Sequence, residues 1–226
     1  MEIEVIVPLL VGLGSIGFVA FIIIYAQHQA KKRASDLLSL SQEKGYSYQS
    51  NDKNSEKLYM EYSFFRLFTV GRGRTASNII SFQDGDLNVT VFDYTYTTGS
   101  GKSKSTHMST NIVIHQNSRN YPHFFIRREV AIFDFFGKVF GGQDINFDED
   151  EEFSKAFVLQ GQDEEQTRKC FSNPENRFPF LIFADEDVTF EAKEQYFHYR
   201  HEGHIATDKF SQVVQQVQDL VSSLEV

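Results

Sequence analysis

The chain has 226 residues, of which 41% are hydrophobic and 23% charged, with a formal net charge of −9 and one cysteine, Cys170. Such a composition excludes an intrinsically disordered chain, and a single cysteine excludes a disulfide-stapled scaffold. The acidic balance also argues against nucleic-acid binding, which depends on a basic face.

The chain opens with an uncharged apolar run at residues 5–25. As a helix rising about 1.5 Å per residue, this run would be roughly 30 Å long, the thickness of a bilayer's hydrocarbon core. We therefore predict that residues 1–30 form a transmembrane anchor. A cleaved signal peptide is the alternative, but it normally has positive charge ahead of its apolar core, where this chain has Glu2 and Glu4.

Small residues inside the anchor would allow close helix–helix packing, although their spacing is not a strict GxxxG and glycine is common in membrane helices. Both interpretations stay open. The residues that define the predicted anchor are Val5, Gly12, Gly14, Gly17, Ile22 and Tyr25.

The flanks of the apolar run predict its orientation. Lys31, Lys32 and Arg33 follow the run, and no basic residue precedes it. By the positive-inside rule, the N-terminus is outside and the rest of the chain is cytoplasmic. The sequence thus predicts a single-pass protein of the cell membrane, with membrane lipid as one partner.

Charge divides unevenly along the rest of the chain. Residues 31–142 carry 15 basic and 10 acidic side chains, whereas residues 143–226 carry 7 and 19. A basic membrane-proximal half suits an anionic cytoplasmic leaflet. Ordinary solvated charge is the alternative.

After the anchor, residues 31–70 are predicted to form a helical, membrane-proximal connector, with a helix stop near Gly45 and a polar loop at 49–57. Residues 71–226 are predicted to form one soluble α+β domain. Alternating patterns indicate an antiparallel meander of four strands at 75–82, 86–97, 105–116 and 123–128. Further strands are predicted at 157–160, 188–190 and 195–201.

Helices are also predicted in this domain, among them a short one that starts at 148–152 and one at 163–171. The apolar residues 130–140 favour a short buried helix. The chain ends in a helical stripe that begins after Thr207, the predicted N-cap, and comprises Phe210, Val213, Val214, Val217, Leu220, Val221 and Leu224.

Because strands and helices segregate, the predicted fold class is α+β. It has an N-terminal transmembrane helix, a mainly antiparallel bent sheet or partial barrel, and a C-terminal amphipathic helix. The order of elements would also suit a pleckstrin-homology-like barrel.

Several phrases occur together: residues 71–78 (GRGRTASN), residues 92–102 (FDYTYTTGSGK), His107 and residues 140–145 (FGGQDI). They resemble a family of uncharacterised bacterial single-span membrane proteins with a soluble domain of unknown function. The resemblance implies the architecture and a bacterial setting, and it implies no activity.

Four basic residues are the candidate binding residues. Lys102 and Lys104 lie in a glycine-rich segment that resembles a phosphate-binding loop, but a strand rather than a helix follows it, so a hairpin tip is favoured. The tip could contact phosphate, lipid headgroups or an acidic partner. Arg72 and Arg74 could bind an anion, although pairing with carboxylates of the acidic half is favoured.

Three other patterns are weaker candidates for a metal site or a catalytic nucleophile. Residues 144–152 resemble a calcium loop but lack its glycine and terminal glutamate, so a capped helix start is favoured. His198, His201 and His204 fall in a predicted strand, where residues three apart face opposite sides. Cys170 has no neighbouring base in sequence. We therefore predict no metal, no cofactor and no catalytic residue.

Three functions remain open at this stage. The first is a non-catalytic interaction or scaffold protein, an accessory subunit of a membrane complex that binds an unidentified protein. The second is lipid-headgroup or anionic-ligand binding. The third is an enzyme of unrecognised type, for which Asp93 and His107 on facing strands would supply the reacting groups.

Overall fold

The computed structural model describes residues 3–51, 55–129 and 144–225, with backbone alone for residues 3–17, 51 and 55. The helix predicted at 130–140 lies outside the described residues. Of the predicted anchor residues, Val5, Gly12, Gly14 and Gly17 are therefore described by their backbone alone.

The first element is one continuous helix, α1, from Ile3 to Lys44. It ends as predicted at Gly45, which adopts a φ of +72°. The large apolar side chains described near its N-terminal end are exposed: Phe18, Val19, Phe21, Ile22, Ile23, Ile24 and Tyr25. Within residues 3–51, 55–129 and 144–225, no helix is long and apolar enough to cross a membrane.

Within the described residues, eight strands form one antiparallel sheet in the order β1-β2-β3-β4-β8-β7-β5-β6. Their bounds are β1 Ser47–Asn51, β2 Arg72–Asp84, β3 Leu87–Thr98, β4 Ser105–His115, β5 Tyr121–Arg128, β6 Phe157–Gly161, β7 Val188–Glu194 and β8 Tyr196–Glu202. The α+β class and the antiparallel sheet are therefore confirmed.

The helices after α1 are short, apart from the last. They are α2 Ser55–Glu61, α3 Glu151–Ala156, α4 Glu164–Cys170 and α5 Phe210–Ser223, with 3₁₀ turns at Arg66–Thr69, Gly101–Ser103, Pro174–Asn176 and Phe178–Phe183. The stripe predicted for α5 is buried. Thr207 is not its cap, because α5 begins after Lys209 and the Thr207 hydroxyl donates to Asp36 at 3.4 Å.

The sheet buries both of its faces. On one face Leu87, Val89 and Val91 pack with side chains of α1, α5 and the 178–183 turn. On the other face Phe92, Tyr94 and Tyr96 pack under residues 58–70. The period-2 alternation of β3 predicted these two sets, because successive side chains of a strand point to opposite faces.

The sheet differs from the prediction in two places. β4 pairs with β8 rather than with β5, so β5 is not the fourth strand of a meander. The other difference is at one edge. Residues 47–51, which include part of the predicted polar loop, form β1 and pair with β2. The strand has a polar sequence because it is an edge strand, and tertiary pairing rather than propensity fixes it. Residues 31–70 thus supply a strand to the sheet and side chains to both cores. In the described chain, the two edge strands each pair with a single neighbour, which is the arrangement of an open sheet rather than a closed barrel.

Candidate functional site at the junction of α1 and the sheet

A partly buried ion pair fixes α1 to the sheet. The Arg33 guanidinium donates two parallel hydrogen bonds to the Asp93 carboxylate, at 2.7 Å from Nε and 2.8 Å from an Nη. The side chains are 11% and 4% exposed. Bidentate pairing of this kind is strong and directional, because the planar guanidinium matches the carboxylate. Arg33, which the sequence assigns to the topology flank, is therefore also a structural residue.

Other groups complete this clamp between α1 and the sheet. The Asn78 amide donates to Asp93 at 2.8 Å, and the Thr110 hydroxyl donates to Asp93 at 3.0 Å. Arg33 also donates to the Ile205 carbonyl oxygen. The Tyr48 hydroxyl contacts the side-chain oxygen of Asn78 at 2.9 Å. The clamp thus joins α1, the four strands β1 to β4 and the segment before α5.

The electrostatics of the clamp favour an ionised Asp93. Burial alone would raise the pKa of Asp93, but the hydrogen bonds and charge of Arg33 outweigh it and leave this pKa below its ordinary value. Asp93 is therefore a charged structural partner at neutral pH, with both oxygens occupied.

A groove of about 540 Å³ runs beside the clamp, between α1 and residues 204–208. Ala26, Gln29 and Lys32 of α1 line one side, and His204 lines the other. Met108 of β4, which is 50% exposed, lies along the same groove. The groove thus places residues 26–33 of α1 near Met108 of β4.

The hairpin prediction for the glycine–lysine segment is confirmed. β3 and β4 pair up to Thr98 and Ser105, and residues 99–104 form the β3–β4 tip. Gly99 has a φ of +65°, and a Cβ there would lie 2.2 Å from the Ser103 carbonyl oxygen, so glycine is required. Lys102 and Lys104 are exposed.

Of the two candidate arginines, the structure brings Arg72 to the tip and leaves Arg74 elsewhere. Arg72 donates to the Gly99 carbonyl at 2.9 Å. Arg74 donates to the Phe68 carbonyl at 2.6 Å and lies over the Tyr59 ring at 5.2 Å. Pairing of these arginines with acidic residues was the wrong expectation for the described part of the chain, because carbonyl oxygens take that place.

Asp93 and His107, the two groups considered for catalysis, are not brought together. Asp93 pairs in register with Thr110, whereas His107 pairs with Tyr96 and stacks on its ring. Positions 93 and 96 of one strand face opposite sides of the sheet. The Nε2 atom of His107 hydrogen-bonds with the Thr98 hydroxyl at 2.8 Å.

The three histidines also separate. His198 and His201 lie on opposite faces of β8, and His204 follows the strand. In the ranges that the structure describes, no three His, Cys, Asp or Glu side chains are arranged to hold a metal ion.

His198 is a buried, neutral histidine that packs against Phe65 and Phe68, on the face of the sheet covered by residues 58–70. The Asn111 amide nitrogen donates to Ser109 at 3.0 Å, so its oxygen accepts from His198 Nε2 at 3.0 Å. Burial, with a smaller contribution from the charge of Arg200, lowers the pKa of His198 to about 3. The folded protein therefore resists protonation of this ring.

This histidine makes stability depend on pH. In the unfolded chain His198 takes up a proton with a pKa of about 6.5, whereas in the folded chain its pKa is about 3. The free energy of unfolding therefore decreases as pH falls from about 6.5 to about 3. We expect His198→Gln to remove about 2 kcal/mol of the stability loss between pH 7 and pH 5. Denaturant unfolding at both pH values measures it, and parallel stability profiles for variant and parent would contradict it.

Cys170 lies at the opposite end of the sheet from the tip. It lines a cleft of about 880 Å³ together with Tyr121, His123, Lys169 and Lys193. Burial raises the pKa of the Cys170 thiol to about 12, so the thiolate needed for nucleophilic attack is scarce at neutral pH.

The segment resembling a calcium loop is a capped helix start, as favoured. Asp150 caps α3 by accepting from the Phe153 amide at 3.1 Å. Its other oxygen accepts from the fully buried Arg177 at 2.7 Å. Arg177 also donates to the Phe171 carbonyl and stacks 4.3 Å from the Phe147 ring.

The fold is similar to one solved structure, that of the mycobacterial trehalose monomycolate transport factor A, TtfA. The match has a TM-score of 0.52 at 12% sequence identity and covers 85% of this chain and 96% of that chain. At this identity the likeness shows the fold alone. No protein-family model and no curated protein matches the sequence.

Proposed function

We propose that this chain is a membrane-anchored, non-catalytic accessory protein whose first helix holds an α+β domain in a fixed orientation at the cytoplasmic face of a bacterial cell membrane. The observation that carries the proposal is the bidentate Arg33–Asp93 ion pair in a helix that continues unbroken from Ile3 to Lys44. A helix clamped in this way fixes the orientation of the domain relative to the helix, which a flexible tether would not do.

The surface of α1 supports the membrane attachment. Seven consecutive or near-consecutive large apolar side chains between Phe18 and Tyr25 are exposed, each by 49% or more. A stripe of this kind on a helix that leaves the domain is costly in water and favourable in lipid. The basic residues that follow it, Lys31 and Lys32, are exposed, which allows them to contact an anionic headgroup layer.

An accessory role that involves binding another protein agrees with the chemistry of the candidate residues. The Asp93 carboxylate is committed to Arg33, and the Cys170 thiol is protonated at neutral pH. The protein of similar fold is a mycobacterial transport factor. A protein partner in the same membrane is therefore the proposed target of the domain.

The proposal is tested in native membranes with tagged full-length protein and a chain lacking residues 1–25, which keeps Arg33. The full-length protein is expected to stay in the membrane pellet after an alkaline wash, whereas the shortened chain is released. After mild-detergent extraction, mass spectrometry is expected to find a stoichiometric protein partner with the full-length chain.

The two parts of the proposal fail separately. Release of the full-length protein by the alkaline wash would contradict the anchor. A full-length protein that stays in the membrane but elutes alone, also after chemical cross-linking in intact cells, would contradict the accessory role.

A further inference from the structure

The β3–β4 hairpin extends beyond β8, while β2 runs beside it up to the pairing of Arg72 with Thr97. β4 pairs with β8 only up to Thr110, with one more bridge from Ser109 to Gly203. Pairing between β3 and β4 continues to Ser105. At about 3.3 Å per residue, the hairpin therefore projects roughly 15 Å past the end of β8 before the tip residues begin.

The projection follows the exposed part of α1. Arg33 contacts Thr110, and Gln29 of α1 lines the same groove as Met108 of β4. Moving from Arg33 to Gln29 covers about 6 Å of helix, and moving from Thr110 to Met108 covers about 7 Å of strand. The helix and the hairpin thus run side by side in one direction.

The tip reaches the level of the exposed apolar residues. From Thr110 to Ser105 is about 16 Å of strand, which equals about eleven helical residues. Counting back from Arg33, this distance ends near Ile22, within the exposed apolar stretch. The apolar run ends at Tyr25, so a membrane that received it would have its polar boundary about 5 Å from the height of the tip, a distance that a lysine side chain can span to reach the headgroups.

The tip is built to present cations. The Ser103 hydroxyl donates to the Ser100 carbonyl at 2.9 Å, and the Arg72 guanidinium donates to the Gly99 carbonyl. These two hydrogen bonds order the turn. Lys102 and Lys104 project from this ordered turn, and both are exposed. Headgroup-level lysines are attracted to anionic lipid by about 1 kcal/mol each, which is roughly fivefold in affinity.

We propose that the β3–β4 tip is a second membrane contact, in which Lys102 and Lys104 bind the anionic headgroups of the leaflet that α1 enters. This inference rests on the proposed membrane anchor. Together, the helix and the tip would attach the domain at two points and prevent it from rotating about α1.

The test uses full-length protein in which Cys170→Ala and Thr106→Cys leave one cysteine, beside the tip, for an environment-sensitive fluorophore. The protein is reconstituted into vesicles of neutral phosphatidylcholine or of phosphatidylcholine with about 30% phosphatidylglycerol. Vesicle flotation of each sample reports the anchor separately. The fluorophore is expected to shift to the blue, and to be quenched by headgroup-linked quenchers, in the anionic vesicles only.

Neutralising variants give the control. Lys102→Gln with Lys104→Gln is expected to lower the docked-to-undocked ratio about 25-fold, and added salt should do the same. Lys44→Gln with Lys169→Gln makes the same charge change away from the tip and should have no effect.

Floating protein whose fluorophore ignores lipid charge would overturn the tip contact and leave the anchor intact. Protein that fails to float would overturn both the tip contact and the anchor.

Discussion

Replacing Arg33 with methionine is expected to destabilise the domain by about 3–5 kcal/mol. The substitution removes the partner of a carboxylate that is 4% exposed, and an unpaired buried charge is far more costly than the pair is stabilising. Denaturant unfolding of the domain at pH 7 measures the change. A loss below about 1 kcal/mol would show that the pair is not the clamp described above.

Two matched variants sharpen this result. Lys32→Met makes the same chemical change at an exposed position of the same helix and should cost less than about 0.5 kcal/mol. Adding Asp93→Asn to Arg33→Met removes the buried charge and keeps an amide that can bond with Thr110. The double variant should recover most of the loss, because a neutral pair carries no ionic desolvation cost.

The same pair has a defined pH dependence. Because the folded pKa of Asp93 is lowered, its stabilising contribution is present above the unfolded-state pKa of about 3.9 and is lost as pH falls through the folded pKa. In Arg33→Met the burial of Asp93 is still opposed by the Asn78 and Thr110 hydrogen bonds but no longer by Arg33, so the carboxylate carries a penalty that protonation relieves. The stability gap between parent and variant should therefore narrow as pH falls towards 4.

Replacing Arg177 with methionine is the second large effect, also about 3–5 kcal/mol. The Arg177 side chain is fully buried and joins Asp150, the Phe171 carbonyl and the Phe147 ring. Its loss leaves the carboxylate that caps α3 without its charge partner and leaves a buried carbonyl without its donor. Thermal or denaturant unfolding of the variant measures the effect.

Glu149 provides the control for Arg177. It lies 3.4 Å from the same guanidinium, but its side chain is 62% exposed. Surface partners of this kind contribute little, so Glu149→Gln should change stability by less than about 0.5 kcal/mol. Equal losses in Glu149→Gln and Arg177→Met would contradict the role given to the buried contacts.

The sequence predicted the two faces of the sheet because alternation is a local property of a strand. The division of β3 into the Val89 and Phe92 sets required only the period of two. The apolar stripe of α5 was predicted for the same reason, because its helical spacing is also a local property. The edge strand β1 was missed, because its residues are polar and its existence depends on pairing with β2.

The candidate site was predictable only in part, for a related reason. Lys102 and Lys104 stood out as a basic glycine-rich turn, and the hairpin presents them as expected. The clamp was missed because Arg33 and Asp93 are 60 residues apart and Arg33 had a sufficient explanation as a membrane flank. The one available signal was a lone aspartate on the aliphatic face of β3, which needs a buried cation as partner.

The most direct test of a helix fixed to its domain at the membrane is a distance measurement between spin labels at Gln27 of α1 and Gln83 of β2, both exposed. The full-length protein with Cys170→Ala would be measured in lipid vesicles by pulsed electron paramagnetic resonance. We predict a single narrow distance distribution that broadens when Arg33→Met is added. A broad distribution in the parent protein would show a flexible tether and contradict the proposed fixed orientation.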